Sequence, residues 1–324
     1  MTAARSPTDA WSVARAAAGQ ASVEIRPLAT LDDMTVACRL LDAVWDIPPE
    51  DASEVRPPLL RALGHAGNYL VGAHLTEGPR RGEMVAASVA FFGTPIGTSM
   101  HSHITGVLPG SGRGVGTAVK WHQRAWALDL GLSRITWTYD PLIARNSFFN
   151  LNRLGARPER YFVDFYGPMD DGPNRGQPTD RVDAIWDLRS GRTARAAARL
   201  LVGSDSSADG PVVDDLRAAG ATVVLAVGAD GEPEPGVAER GVTELGVAEP
   251  GVAEPGVVGP VGPEVRLIGI PADIEAIRRA DPALALRWRL RLRAVLAPLL
   301  ADGSHRVTGF AKAGWYVVER GKRT

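Results

Sequence analysis

The stretch Val107–Val119 reads V-L-P-G-S-G-R-G-V-G-T-A-V, with glycines alternating at positions 110, 112, 114 and 116. It separates a β-branched run, "SMHSHITGVL" (99–108), from a run at helical spacing. In the latter Val115, Val119, Trp126 and Leu130 share one face, with Ala118 alongside. A helix N-terminus leaves backbone N–H groups unpaired and carries partial positive charge. Glycines just before it let those amides turn toward a ligand and let its bulk approach, and phosphate is the usual beneficiary. Spacing excludes two phosphate loops. A Walker A loop ends in Gly-Lys-Ser/Thr and a dinucleotide loop runs G-x-G-x-x-G; strict alternation matches neither.

Outward from the loop, the pattern is that of a mixed sheet. Upstream lie a strand from Val23 ("VEIRPL"), a helical run with Met34, Cys38, Leu41 and Trp45 on one face, and a short helix in "RPPLLRALGHAG". Three strands follow, "NYLVGAHL", "EMVAASVAFFG" and "SMHSHITGVL", separated by Gly- and Pro-containing turns as in an antiparallel meander. Downstream come the strand "RITWTYD", a short helix "ARNSFFNLNRLG", and the strands "RPERYFVDFYG" and "DAIWDL".

The order strand, "VLPGSGRGVGTAV", helix, "RITWTY", "RNSFFNLNRLGA" resembles the GNAT superfamily of acyl-CoA N-acyltransferases over about residues 23–165. There a strand ending in V-x-P enters a loop Q/R-x-x-G-x-G/A whose amides hold the pyrophosphate of coenzyme A. Val107, Pro109, Gly114 and Gly116 match that pattern. Ser111 departs from it at the Q/R position, with Arg113 nearby. The phrases "SHITGVLP", "WTYDPLIARNSFFNLNRLGA", "DFYG" and "PTDR" resemble a subgroup of acetyltransferases with a C-terminal extension, to which "RADPALALRWRLRLR" belongs. The resemblance implies an α/β (α+β) fold: a GNAT-type, mainly antiparallel sheet flanked by helices, with a smaller α+β extension. It implies acetyl-CoA or another acyl-CoA as co-substrate, succinyl-CoA among them, and a small-molecule primary amine such as an amino acid as acceptor. Gly112, Arg113, Gly114, Val115, Gly116 and Thr117 would hold the cofactor, with Val107 on the pantetheine strand and Asn146 in the following helix. The strand Trp137–Tyr139 would splay from Thr105–Val107 to open the acyl cleft.

Direct attack in a ternary complex needs a base for the amine and an acid for the departing thiolate. His101, His103 and Thr105 alternate onto one face of a strand, and His103 is the first choice of base because imidazole titrates near neutrality. A structural histidine is the competing reading, and two histidines at i, i+2 without an evident third ligand make a poor metal site. Asp140 closes its strand and is a second base or an ammonium ligand, against a turn role before Pro141. Asn146 could equally be an N-cap. The tyrosine that serves the family as acid is replaced by Leu151, which leaves Tyr139 or Tyr161 for that role and favours, in part, a non-catalytic acyl-CoA-binding or protein-docking module. Asp170, Asp171, Asp180 and Arg181 read as a solvated loop. Arg287, Arg289, Arg291 and Arg293 read as a solvated rim on an amphipathic helix.

Composition bounds the rest. With 324 residues, 45% hydrophobic and 23% charged, the chain suits about two globular domains. A net charge of −1 gives no footprint for nucleic acid. No apolar run is long enough for a membrane, and a single cysteine, Cys38, excludes an internal disulfide and fits a reducing cytoplasm. Residues 1–20 read as a disordered leader, 21–190 as the acyltransferase domain and 191–324 as the extension. Within the extension, residues 229–263 read as a disordered insertion carrying the five-residue repeat of "GVAERGVTELGVAEPGVAEPGVVGP", with too few large apolar side chains to offset ordering entropy. A homodimer through the extension stays open.

Overall fold

In a computed structural model of the chain, residues 7–48, 55–167, 176–203, 210–236, 264–301 and 303–321 are described. The first sheet has seven strands in the order β1-β2-β3-β4-β5-β7-β6. They are β1 (Val23–Pro27), β2 (Tyr69–Leu75), β3 (Met84–Gly93), β4 (Ser99–Val107), β5 (Arg134–Tyr139), β6 (Arg157–Phe162) and β7 (Arg181–Asp187). All neighbours are antiparallel except β4 and β5. The long crossover that a parallel pair requires is α4 (Val115–Asp129), which packs on one face of the sheet. Helices α2 (Leu31–Val44) and α3 (Pro57–His65) cover the other face through a separate apolar cluster around Met34, Leu41, Leu60 and Val89. Local chemistry sets these helix starts. Thr30 and Asp33 form a reciprocal capping box on α2, and Pro57 and Pro58 open α3, where a missing N–H costs nothing.

Residues 7–20 correct the disordered-leader expectation: they form α1 (Pro7–Gln20). Ala10, Val13, Ala14 and Ala17 recur at i, i+3, i+4 and i+7 and are buried against α4. Because α1 roofs α4, the latter is buried on almost every side, including Lys120, Trp121 and Gln123. Leu130, expected on its apolar face, instead caps the helix and is exposed.

The second sheet, order β11-β12-β10-β8-β9, is smaller. It comprises β8 (Thr222–Val227), β9 (Pro233–Pro235), β10 (Val265–Gly269), β11 (His305–Ala311) and β12 (Trp315–Arg320). With it go α6 (Gly191–Leu201), α7 (Val213–Ala218), α8 (Ile274–Ala280) and α9 (Pro282–Ala301). Residues 229–236, expected to be disordered, turn back and pair as β9 on β8, while most of the repeat lies outside the described residues. Trp288, Leu292 and Leu296 of α9 and Tyr316 of β12 join the same apolar core as the first sheet.

Candidate functional site

The site forms where α4 starts and where β4 and β5 part. Gly114 is the N-cap of α4, in the left-handed region at φ 88°, and no side chain caps the helix. The first helical bond runs from Ala118 N–H to Gly114 O. Among the described residues, the N–H groups of Arg113, Val115, Gly116 and Thr117 meet no acceptor. These are the free donors the glycine pattern predicts.

Parallel pairing of β4 with β5 lasts three rungs, Ser99 with Arg134, Met100 with Ile135 and His101 with Thr136. Beyond them β4 continues to Val107 and β5 to Tyr139 without pairing, so the sheet opens as a fork. The splay implied by the sequence resemblance is therefore present.

A cavity of about 680 Å³ lies at the α4 N-terminus. Arg113, Gly114 and Thr117 form one wall. Arg145, Phe148, Phe149, Asn152 and Arg153 form another; they come from α5 (Ala144–Phe148) and a π-helical turn, Phe149–Leu154, capped by left-handed Gly155. Two elements outside the recognised pattern complete the enclosure: α1 with Ala17 and Gln20, and α6 with Ala196, Arg199 and Leu200. The Gln20 side chain ties them by donating to Leu200 O at 3.0 Å. Arg145 is ion-paired with Glu275, and Arg113, Arg153 and Arg199 line the cavity with it.

Asn146 does not line this cavity, nor is it an N-cap: Ile143 caps α5, and the cavity's asparagine is Asn152. The sequence motif "RNSFFNLNRLG" contains both residues, but the π turn shifts which of them faces the cavity. Leu151, at the missing tyrosine's position, is 2% exposed and carries no proton.

A β-bulge reshapes the histidine strand. Ile104 pairs with Val89 and Ser102 with Ala90, which leaves His103 as the extra residue. His101 and His103 both lie against the Phe91 ring, with centroids 5.4 and 5.7 Å away. Thr105 does not share their face: it hydrogen-bonds Ser88, an odd number of residues from Phe91 on β3 and so on the opposite side. His103 is exposed on the open edge of the fork. His101 sits on the last paired rung, with Nδ1 3.2 Å from Thr136 Oγ1. Burial, then the charges of His103 and Lys120, pulls its pKa down and favours neutral imidazole. Among the described residues no group of three or more His, Cys, Asp or Glu could hold a metal.

Asp140 and Tyr139, both expected to be catalytic, are buried: Asp140 has other partners, and the Tyr139 hydroxyl has no hydrogen-bond partner among the described residues. Asp140 is 5% exposed and accepts a bidentate pair from Arg289 (2.8 and 2.6 Å), another bond from Arg278 and one from Leu142 N–H. Burial alone would raise its pKa, but Arg289 and then Arg278 hold it well below the carboxylate range, so it is a fixed anion and no base near neutrality. Tyr139 is buried, beside the Tyr316 and Ser147 hydroxyls, and burial holds its phenol above the ordinary value. Tyr161 donates to Asp180 at 2.6 Å and is likewise raised, first by burial. Asp180 corrects the solvated-loop expectation: it is fully buried and binds Arg293 through two bonds. Asp170 and Asp171 lie outside the described residues. Arg289, fully buried, and Arg293 correct the solvated-rim expectation for α9. Cys38 is buried, and burial lifts its thiol to about 11, in keeping with an inert core residue.

Sequence reading missed Lys120. It is 7% exposed, reaches from α4 to the underside of the fork, and donates to Ser102 Oγ (2.7 Å) and Gln123 Oε1 (3.2 Å). Its ammonium lies 4.2 Å from the Trp137 ring centroid, and burial lowers its pKa to about 7.

No protein-family model and no curated protein matches the chain. Solved structures with similar folds include RimJ of Mycobacterium smegmatis in complex with CoA-disulfide, at 16% identity and a TM-score of 0.42, over 56% of this chain and 88% of that one. An N-acetyltransferase from Staphylococcus aureus aligns at 15% identity and a TM-score of 0.39, over 51% of this chain and 98% of that one. A GNAT family acetyltransferase from Elizabethkingia anophelis with acetyl-CoA bound aligns at 13% and 0.37, over 51% and 98%. The class of fold stands on this chain's own geometry: a mixed α/β sheet split beside a glycine-led helix N-terminus, the arrangement expected of a GNAT-type fold, with a second α+β sheet appended.

Proposed function

We propose that the protein transfers an acyl group, acetyl or succinyl, from an acyl-coenzyme A to the primary amine of a small molecule such as an amino acid. The observation that carries this reading is the set of unpartnered amides at Arg113 and Val115–Thr117, at a helix start whose Arg113, Gly114 and Thr117 line an arginine-bearing cavity. Amides and guanidiniums there suit a diphosphate, and Phe149 offers a face to a purine. The free edge of β4 toward Val107 offers backbone groups to an extended pantetheine arm, as an edge strand does to a peptide. The amine nitrogen bonds to the acyl carbon, the carbon–sulfur bond breaks, and the thiolate leaves to be protonated. His103, on the open edge of the fork, takes the proton from the amine, and His101 stands behind it.

The test is release of free thiol from acetyl- and succinyl-CoA with a panel of amino acids, alongside calorimetric binding of coenzyme A. Gly114→Val forces a β-branched residue into the left-handed region and is expected to weaken coenzyme A binding by roughly ten-fold or more. His103→Ala is expected to cut turnover by about 10²-fold or more with cofactor affinity unchanged. No coenzyme A binding at all would remove the reading. Buried Leu151 in place of a proton donor favours a second one, a non-catalytic acyl-CoA binder; saturable binding with no turnover on any amine would select it.

A further inference from the structure

A second, smaller cavity of about 290 Å³ lies behind the π turn, between α6 and β11. Arg192, Arg195 and Arg199 of α6 line it, spaced i, i+3 and i+7 and so on one helix face. Neutral groups pin two of them. Arg192 donates to Thr308 O at 2.7 Å and to Leu151 O at 3.4 Å, and Arg199 donates to Asn152 O at 2.7 Å. The buried Arg192 Nε has no partner. Among the described residues none of the three makes an ion pair. Glu319, an acid that acts on Arg192, accepts instead from Thr308 Oγ1. Burial, followed by the like charges of Arg157, Arg195 and Arg199, drives the Arg192 pKa down to about 10.

Three arginines of α8 and α9 meet carboxylates: Arg289 and Arg278 meet Asp140, and Arg293 meets Asp180. Here three guanidiniums are gathered around one cavity and left unneutralised, an arrangement that costs repulsion unless an anion fills it. We propose that this cavity binds the phosphate of a phosphomonoester, with Arg192, Arg195 and Arg199 as its ligands. A carboxylate would offset one of three charges, whereas a phosphomonoester dianion offsets two and presents three oxygens to the donor forks. A volume at the small end for ligand sites suits a phosphate with little attached. Two sources share that chemistry: a separate phosphorylated metabolite, or the 3′-phosphate of a coenzyme A lying in the larger cavity. Arg199 and Asn152 line both cavities and form the wall between them.

The experiment is calorimetric titration of the full chain with inorganic phosphate at fixed ionic strength. Wild type is expected to bind saturably. Arg195→Gln, at an exposed position, is expected to weaken binding by roughly ten-fold, the loss of one charge-assisted contact. Arg113→Gln, in the other cavity, is expected to leave this binding within about two-fold. Absence of saturable binding, or binding that falls with Arg113→Gln and ignores Arg195→Gln, overturns the proposal. Coenzyme A and dephospho-coenzyme A separate the two sources. If the phosphate is the cofactor's, Arg195→Gln weakens the first and not the second; if it is a separate molecule's, inorganic phosphate still binds the coenzyme A-saturated protein. The inorganic phosphate result does not rest on the acyl-transfer reading, so a protein that bound no coenzyme A would still give it.

Discussion

A lysine held inside a protein sets a pH dependence whose sign can be worked out from Lys120. Its pKa falls from an ordinary 10.5 to about 7 through burial. Between those values the unfolded chain binds a proton that the folded one does not, so stability rises with pH across about 7 to 10.5. Lys120→Met keeps the volume and removes the charge. It is expected to be the more stable protein at pH 7, by an amount on the order of a few kcal/mol, with the difference from wild type shrinking toward pH 10. Urea midpoints at pH 6, 8 and 10 measure this; a parallel rise in both proteins would contradict it. His122 acts at the acid end. Packed edge-on to Trp11 with Nδ1 2.9 Å from the Tyr69 hydroxyl, it is lowered by burial to about 4. Its contribution is present above its unfolded value of 6.5 and is lost as pH falls toward 4.

At the scale of elements, what could be read in advance was what is local. The alternation of Gly110 to Gly116 announced an uncapped helix start, because a left-handed N-cap and free amides are properties of consecutive residues. The forked sheet was implied by the family resemblance and not by the strand runs themselves, because where β4 and β5 part depends on residues far apart in sequence. Helix α1 was legible in principle, since Ala10, Val13, Ala14 and Ala17 keep the helical period. Its stripe is made of small side chains, so it looks weakly apolar until the facing helix is known. The β-bulge at His103 was not legible: the extra residue exists only relative to Val89 and Ala90 on the neighbouring strand. It broke the period-two rule between His103 and Thr105 and put them on opposite faces. Asp140 was read as chemistry because its partner Arg289 lies 149 residues away. An unpaired carboxylate and a buried ion pair look alike in sequence. The same holds for Lys120, which is buried where α4 packs on β4 and β5, against Ser102 and Trp137.

For the whole molecule, the ion pairs decide whether the two sheets are separable. Asp140 and Asp180 belong to the first sheet's half of the chain, whereas Arg278, Arg289 and Arg293 belong to the second's. Asp140 and Asp180 are at most 5% exposed. A buried pair is not itself strong evidence of stability, because desolvation offsets the attraction, but removing one partner strands the other charge. Asp140→Ala is therefore expected to cost about 3–5 kcal/mol by leaving Arg289, 1% exposed, uncompensated. The depressed pKa of Asp140 gives the sign with pH: its contribution is full above the unfolded value of 3.8 and is lost as pH falls through and below that value. A chain ending at residue 190 would leave both aspartates without their arginines and would uncover the face of the shared core that Trp288, Leu292 and Tyr316 now cover. That truncation is expected to lack a cooperative thermal transition and fixed near-ultraviolet dichroism. It would also lose the α6 wall, with Arg199, from the larger cavity. A 1–190 fragment that melts cooperatively and binds coenzyme A as tightly as the full chain would show that the appended sheet is dispensable and that its arginines serve some other end.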